Sequence, residues 1–255
     1  MPKFFVEKEQ LLENENKVVI VGEDVNHIKN VLRLVKGAKI EVSIKEKEPR
    51  NFWTSIEELT DLKITCNIIN EQKGKSEANI SVSVVQGIPK SDKMELIIQK
   101  CTELGVDYFI PLELKRCVSK IVGKDSIKKI ERWQKIAEVA SKQCLRDKIP
   151  IVEPKMTLNE FCKKISDYDL VLVAYEKEEA HILKELIEQS KYAKKIAIVI
   201  GPEGGLEKSE IETLTSAGAK VISLGNRILR TETAPIALSS ILMYELGDIG
   251  GEKNE

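Results

Sequence analysis

Histidine is nearly missing from this chain: His27 and His181 are the only two among 255 residues. A histidine-built metal cluster is excluded on that count, and a triad base is not expected. Cysteine is sparse and scattered. Cys66, Cys101, Cys117, Cys144 and Cys162 are odd in number, and no two are spaced Cys-x-x-Cys. Neither a disulfide framework nor a zinc site is expected, and the five read as reduced thiols of a cytoplasmic protein. Long apolar runs are lacking too: none approaches the roughly 18 residues of a membrane span. The start, Met1-Pro2-Lys3-Phe4-Phe5-Val6, has no signal-peptide hydrophobic stretch. Excess charge is the last absence. A net charge of −1 argues against a global electrostatic hold on nucleic acid.

What is present is an ordinary core-forming composition, with 42% apolar and 32% charged residues. The length suits one large domain or two small ones. Residues 1–72 carry short alternating or apolar runs at 17–21, 39–44, 52–57 and 62–69. Gly22, Gly37 and a polar stretch at 45–51 separate them. This pattern predicts a small β-rich barrel with one helical piece at 27–34. The polar, glycine-bearing segment 73–77 reads as a linker. Residues 78–250 then alternate strands and helices. Strands are expected at 80–85, 106–110 (ended by Pro111), 169–175, 196–200 and 221–224. One helix starts at an Asp92-x-x-Glu95 capping box and stops at Gly105. A longer one is marked by Ile127, Ile130, Ala137, Ala140 and Cys144. Others begin at Thr157-x-x-Glu160, run over 180–190 and 207–217, and open at Thr233 and Pro235. Such alternation predicts an α/β domain with a mostly parallel sheet.

Two blocks concentrate the polar chemistry: Gly201-Pro202-Glu203-Gly204-Gly205, and Leu224-Gly225-Asn226-Arg227-Ile228-Leu229-Arg230-Thr231-Glu232-Thr233-Ala234. Each follows a buried apolar run, so each lies where a strand leaves the sheet, the place where open α/β sheets bind ligands. Neither a P-loop nor a Gly-x-Gly-x-x-Gly fingerprint is present. A lone Gly-Pro-Glu-Gly-Gly is more often a plain turn; the pair is the stronger signal. Charge is also uneven. Between Lys115 and Lys148 lie eleven Lys or Arg against four acids, a count that includes Arg116 and Arg146. A solvated helix face is the reading favoured by charge alone; a phosphate-holding face is the alternative.

These blocks, with Phe4-Phe5-Val6, His27 to Arg33, Lys90-Ser91-Asp92-Lys93, Gln99 to Val106 and Ala174-Tyr175-Glu176, resemble the SPOUT superfamily of S-adenosylmethionine-dependent RNA methyltransferases. Within it, the chain is similar to the family that methylates N3 of a uridine in bacterial 16S ribosomal RNA. The likeness spans nearly the whole chain. Lys3 departs from it, standing where members often carry arginine. The resemblance implies a PUA-like RNA-binding barrel over 1–72. It implies a methyltransferase domain over 78–250 with a deep trefoil knot at about 196–246, and a homodimer. The methyl donor would be held by Ala174, Tyr175, Glu176, Gly201, Pro202, Glu203, Gly204, Gly205, Leu224, Gly225, Ile228, Leu229 and Ala234. Candidate RNA contacts are Lys3, Lys29, Arg33, Lys90, Lys93, Arg116 and Arg146, and the partner is 16S ribosomal RNA or the small subunit. No metal is expected.

The chemistry so implied needs negative charge stabilised on the uridine carbonyl oxygens and a proton removed from N3. Arg230 suits the first task. Glu232, or a hydroxyl of Thr231 or Thr233, suits the second. Plainer roles compete: Arg227 and Arg230 as interface ion pairs, Glu232 as the partner of either arginine, Glu203 as a helix cap, Lys29 and Arg33 as a solvated helix face. Trp53 and Trp133 read as packing residues. A SPOUT enzyme acting on another RNA such as tRNA, and an RNA-binding protein with a vestigial donor pocket, remain alternatives.

Overall fold

The structure is a computed structural model that describes residues 1–46, 48–119, 124–176 and 183–251. The chain divides into two compact units, Met1–Glu77 with Ser141–Ile149, and Ala78–Ala140 with Pro150–Glu255.

The first unit is a curled mixed sheet. Its strands are β1 (Lys3–Val6), β2 (Leu11–Leu12), β3 (Lys17–Val21), β4 (Lys39–Ile44), β5 (Asn51–Leu59) and β6 (Lys63–Gln72), in the order β1-β4-β5-β6-β3-β2. All described pairings are antiparallel except β1 with β4. β3 and β4 match the runs at 17–21 and 39–44. β1 was not foreseen, because four consecutive buried residues give no alternation to read. Inward residues Phe4, Val18, Ile20, Ile40, Val42, Phe52, Ile56 and Ile64 form one core. The helical piece starts earlier than expected, as α1 (Glu23–Asn26) followed by a wide turn over His27–Val31. Arg33 lies beyond it at φ +52°, so the helix face expected to join Lys29 and Arg33 does not form.

Segment 73–77 is held tightly. The Ser76 N–H donates to Asp147 Oδ2 at 3.0 Å. A Cβ at Gly74 would fall 2.6 Å from that same oxygen, so only glycine permits the approach. Two expected RNA contacts are used up here. Lys3 is 2% exposed, its ammonium 2.6 Å from Asp147 Oδ1 and 2.9 Å from Glu41 Oε1. Arg146 is 3% exposed and grips Glu77 with Nε and Nη2. Both cations are internal ion-pair members and offer no charge to a ligand, which corrects the sequence expectation.

The second unit is a wholly parallel sheet flanked by helices. Its elements are β7 (Ser81–Gly87), α2 (Lys93–Glu103), β8 (Tyr108–Glu113), α3 (Lys124–Cys144, whose residues from Ser141 on belong to the first unit), β9 (Ile151–Val152), β10 (Met156–Thr157), α4 (Leu158–Cys162), β11 (Leu170–Ala174), α5 (Leu183–Gln189), β12 (Lys195–Ile200), α6 (Lys208–Ser216), β13 (Lys220–Ile222) and α7 (Thr233–Glu245). Strand order is β10-β8-β7-β12-β11-β13, with β9 also on β8. β12 is buried on both faces, as a continuous Ile-Ala-Ile-Val-Ile run requires. Ala197 and Val199 join Val85, Phe161, Leu206 and Leu214 in a core under α4 and α6. By alternation Ile196 and Ile198 face the other way, where α7 packs on β12 and α2.

Several local signals hold. Thr157 and Glu160 form the expected reciprocal cap. Glu207 and Glu210 do the same at α6. Gly105 (φ +92°) and Gly218 (φ +109°) close their helices in the left-handed region. Others fail. Asp92 makes no side-chain cap, and Glu95 instead meets Arg132 at 2.8 Å. Ile127 is 63% exposed. The expected helix at 180–190 is described only from Leu183; its first residues, with His181 and Lys120, lie outside the described residues. Pro111 does not end its strand. It pairs with Gln86 inside β8, opposite the break between β9, which reaches Phe109, and β10, which begins at Leu112. The missing N–H therefore falls where neither neighbour asks for one.

The Lys3–Asp147 pair yields a test. Burial alone would raise the Asp147 carboxyl, but Lys3 and the Ser76 N–H hold it below its ordinary value. Its stabilising contribution is therefore complete above the unfolded carboxylate pKa and is lost as pH falls through the lowered folded one. Lys3→Met should cost about 3 kcal/mol at pH 7 by stranding a buried carboxylate. That deficit should shrink toward pH 4, because the stranded group neutralises. Urea denaturation of both proteins at the two pH values checks it; a deficit independent of pH would contradict this assignment.

Candidate active site at the strand ends

Four adjacent parallel strands share one rung at their carboxyl ends, where three of them stop and β7 runs one residue further. Gln86 of β7 pairs with Ile200 of β12, Ile200 with Ala174 of β11, and Ala174 with Ile222 of β13. The segments that follow leave side by side at the carboxyl edge, where α/β sheets open a crevice. They enclose a cavity of about 590 Å³. Every residue expected to hold a donor lines it: Ala174, Tyr175, Glu176, the Gly201–Gly205 turn, Leu224, Gly225, Ile228, Leu229 and Ala234. Arg230 and Thr231 line it as well. So do Asn226 and Arg227 of the second block, the adjoining Ile200, Leu206 and Ser223, and Lys93, expected as an RNA contact.

The Gly201–Gly205 turn is shaped by close approaches. A Cβ on Gly201 would lie 3.0 Å from the carbonyl carbon of Gly205, and one on Gly204 3.0 Å from the Arg116 Cβ. Gly205 has φ +69°, and its missing Cβ faces the Glu176 carboxylate at 3.5 Å. Gly204 thus turns its bare side to Arg116, whose Nη1 donates to the Gly204 carbonyl at 2.9 Å. Arg116 remains exposed.

Lys93 joins the two blocks. Its ammonium lies 3.1 Å from Glu203 Oε1 and 3.2 Å from Glu232 Oε2. Glu203 is therefore no helix cap; its carboxylate also accepts the Lys90 N–H at 3.0 Å. Burial pushes the Glu203 carboxyl up, yet its own backbone N–H, the Lys90 N–H and Lys93 together hold it below the ordinary value. The hydrogen bond to Glu203 likewise raises Lys93, against the opposing effect of burial, with Glu232 adding to the rise. A lysine so engaged is not a free RNA contact. Glu232 has a lysine rather than an arginine as its partner, unlike the sequence expectation.

Arg230 and Arg227 are exposed and make no ion pair among the described residues. The Arg230 carbonyl accepts the N–H groups of Thr233 and Ala234, starting α7. Glu232 and Thr233 sit at that helix start and do not line the cavity. The Thr231 hydroxyl is buried and donates to the Gly201 carbonyl at 2.7 Å. Lys90 and Arg33 are exposed, and Lys29 pairs with Asp61. Trp133 is buried, whereas Trp53 is 41% exposed.

The cavity suits a nucleoside-sized ligand. Its volume lies within the usual range for small-molecule sites. Backbone groups of three loops edge it, and Ile228, 83% exposed, offers an apolar side chain with nothing packed over it. Among the described residues no cluster of three or more His, Cys, Asp or Glu could hold a metal ion.

Comparison with known proteins agrees with this geometry. Residues 76–243 match the RNA methyltransferase domain family. The chain is 34% identical over 99% of its length to the ribosomal RNA small subunit methyltransferase E of Bacillus subtilis, all of which is covered. It is 31% identical to the protein of that name from Synechocystis, over 94% of this chain and 76% of the relative. A crystal structure of a ribosomal RNA small subunit methyltransferase E from Neisseria gonorrhoeae bound to S-adenosyl methionine superposes with a TM-score of 0.85. It has 27% identity and covers 98% of this chain and 99% of that one. With its strand-end cavity, its paired loops and these relatives, the chain belongs to the RNA methyltransferase family that includes the ribosomal RNA small subunit methyltransferase E proteins.

Proposed function

We propose that this protein transfers a methyl group from S-adenosylmethionine to N3 of a uridine in 16S ribosomal RNA. The observation that carries the reading is the cavity at the common rung, with the unpaired Arg230 on its wall. The family is one of S-adenosylmethionine-dependent enzymes, and the Bacillus and Neisseria relatives bear the name of a small-subunit ribosomal RNA methyltransferase.

The donor, when bound, supplies an electrophilic methyl group. The residues assigned to hold it are those of the three loops, chiefly through backbone groups, with Leu224, Ile228 and Leu229 supplying apolar surface. Arg230 is assigned the transition-state charge: its guanidinium has no competing carboxylate among the described residues and can face the carbonyl oxygens beside N3. Thr231 is a poor proton relay, since its hydroxyl hydrogen is committed to the Gly201 carbonyl. Glu232 is the proposed proton acceptor; it sits at the start of α7 beside Thr231 and Lys93, both of which line the cavity.

The finer architecture is proposed with it. The first unit is read as a PUA-like RNA-binding barrel and 78–250 as the methyltransferase domain. The trefoil knot is placed at about 196–246, a reading supported by α7 returning from the second block to pack on β12. A homodimer is supported by the exposed Leu96 of α2 and Ile241 and Tyr244 of α7, apolar side chains on two helices that pack together. A cytoplasmic location is consistent with this substrate, and no described helix is long and apolar enough to cross a membrane.

Arg230→Ala should slow single-turnover methyl transfer by about 100-fold or more while donor affinity changes little. Sedimentation of the same variant separates the rival role: a monomer would make Arg230 an interface residue, and a dimer of normal rate would remove it from both. Of the expected RNA contacts, Arg33, Lys90 and Arg116 remain exposed. Replacing Arg33 or Lys90 by alanine should weaken RNA binding and leave donor affinity unchanged. Each lost phosphate contact should lower the slope of log affinity against log salt by roughly 0.7 to 0.9. An unaltered slope in both variants would refute the assignment.

A further inference from the structure

Gln86 was not singled out by any motif, and it does not line the cavity. It is nevertheless fully buried one residue before the end of β7, on the last rung that β7 shares with β12, beneath both blocks. Its Nε2 donates to Thr231 Oγ1 at 2.9 Å and reaches the Gly201 carbonyl at 3.3 Å and the Gly87 carbonyl at 3.0 Å. The Thr231 hydroxyl closes the triangle by donating to the same Gly201 carbonyl at 2.7 Å. One carboxamide thus ties the first residue of the Gly201–Gly205 turn to the residue after Arg230, across 30 positions of sequence.

Two further observations indicate that the arrangement is specific. The carbonyl acceptors fix which end of the amide is nitrogen, since an oxygen facing Gly87 and Gly201 would repel them. The Oε1 so oriented is buried without a partner, a cost that a glutamine placed only for packing would not need to bear. Next to it, a Cβ on Gly87 would lie 2.6 Å from the Pro202 Cδ, so the end of β7 is pressed against the turn it holds.

We infer that Gln86, acting through Thr231, is a positioning residue that fixes the spacing of the two cavity loops and thereby the placement of Arg230. It works as a neutral, buried latch. Lys93 is an ionic, partly exposed link between the same two blocks, so the two latches should differ in their response to salt. The inference rests on the donor reading of the cavity for its affinity readout, but not for its dynamic one.

The test uses the whole protein with Gln86→Met, Thr231→Val and Thr231→Ser, and the double variant of the first two. S-adenosylhomocysteine, the demethylated form of the donor, serves as a non-reacting probe by calorimetry. Amide hydrogen exchange at 201–206 and 224–231 is read without ligand. Thr54→Val is the control, since Thr54 is equally buried and hydrogen-bonded, to the Ile40 carbonyl, in the other unit. Gln86→Met and Thr231→Val should each lower probe affinity at least tenfold and speed exchange in both loops. Thr231→Ser, which keeps the hydroxyl, should restore both. The double variant should be little worse than the weaker single one, because the two residues act as a unit. Thr54→Val should affect neither loop exchange nor affinity. Wild-type affinity and exchange in Gln86→Met, or losses that simply add, would overturn the latch. Should Gln86→Met fail to fold, Thr231→Val breaks the same bond from the other side and decides by the same readouts. If the wild-type protein itself does not bind the probe, the donor reading fails, and loop exchange alone still decides whether Gln86 holds the loops.

Discussion

Three strands of different length and origin stop at the same height, level with Gln86 near the end of a fourth. Because Gln86, Ile200, Ala174 and Ile222 share a rung, three loops far apart in sequence start as neighbours, and a cavity follows from the sheet's register. A one-residue slip in β12 would exchange its two buried faces, setting Ala197 and Val199 against α7 and Ile198 against α4 and α6. The hydrophobic pattern that builds the core is therefore also what keeps the loops level. The site inherits its precision from the buried core of the unit.

On that foundation the charges divide into two groups. Lys3, Arg146 and Lys93 are each held by carboxylates, and their work is internal. Arg33, Lys90, Arg227 and Arg230 are exposed and make no ion pair among the described residues, while Arg116 is exposed but lies 3.8 Å from Glu207 Oε1. Catalysis by a guanidinium benefits from the second condition, since a cation already neutralised by a protein carboxylate has less field to lend to a developing anion. The placement of Glu232 opposite Lys93 rather than an arginine serves that division, leaving Arg230 uncommitted.

Much of this could be read from the amino acids, and the failures share a cause. β3 and β4 were legible from alternation, β12 from an unbroken apolar run, and α4 from its Thr157–Glu160 box, all signals within a few residues. The two glycine-bearing blocks were legible because chemistry and position coincide there. What escaped depends on partners far along the chain. Lys3 reads as a surface cation until Asp147, 144 residues away, is seen beside it. Gln86 looks like one polar residue at a strand end until Gly201 and Thr231 converge on it. Pro111 signals a stop unless the neighbouring strand is known to break opposite it. Asp92 and Glu95 have the spacing of a cap, but Arg132 competes for the glutamate.

The break that accommodates Pro111 has a further effect. It leaves one margin of the parallel sheet made of two strands of two residues each, and β13 at the opposite margin has only three. The long inner strands, whose unbroken valine and isoleucine runs would be hazardous if uncovered, never reach either border. A second molecule seeking to extend the sheet finds a ragged, kinked hem lacking one backbone donor, too short to seed a ladder. The proline that seemed out of place in a strand thus helps keep a very sticky sheet from recruiting its own kind.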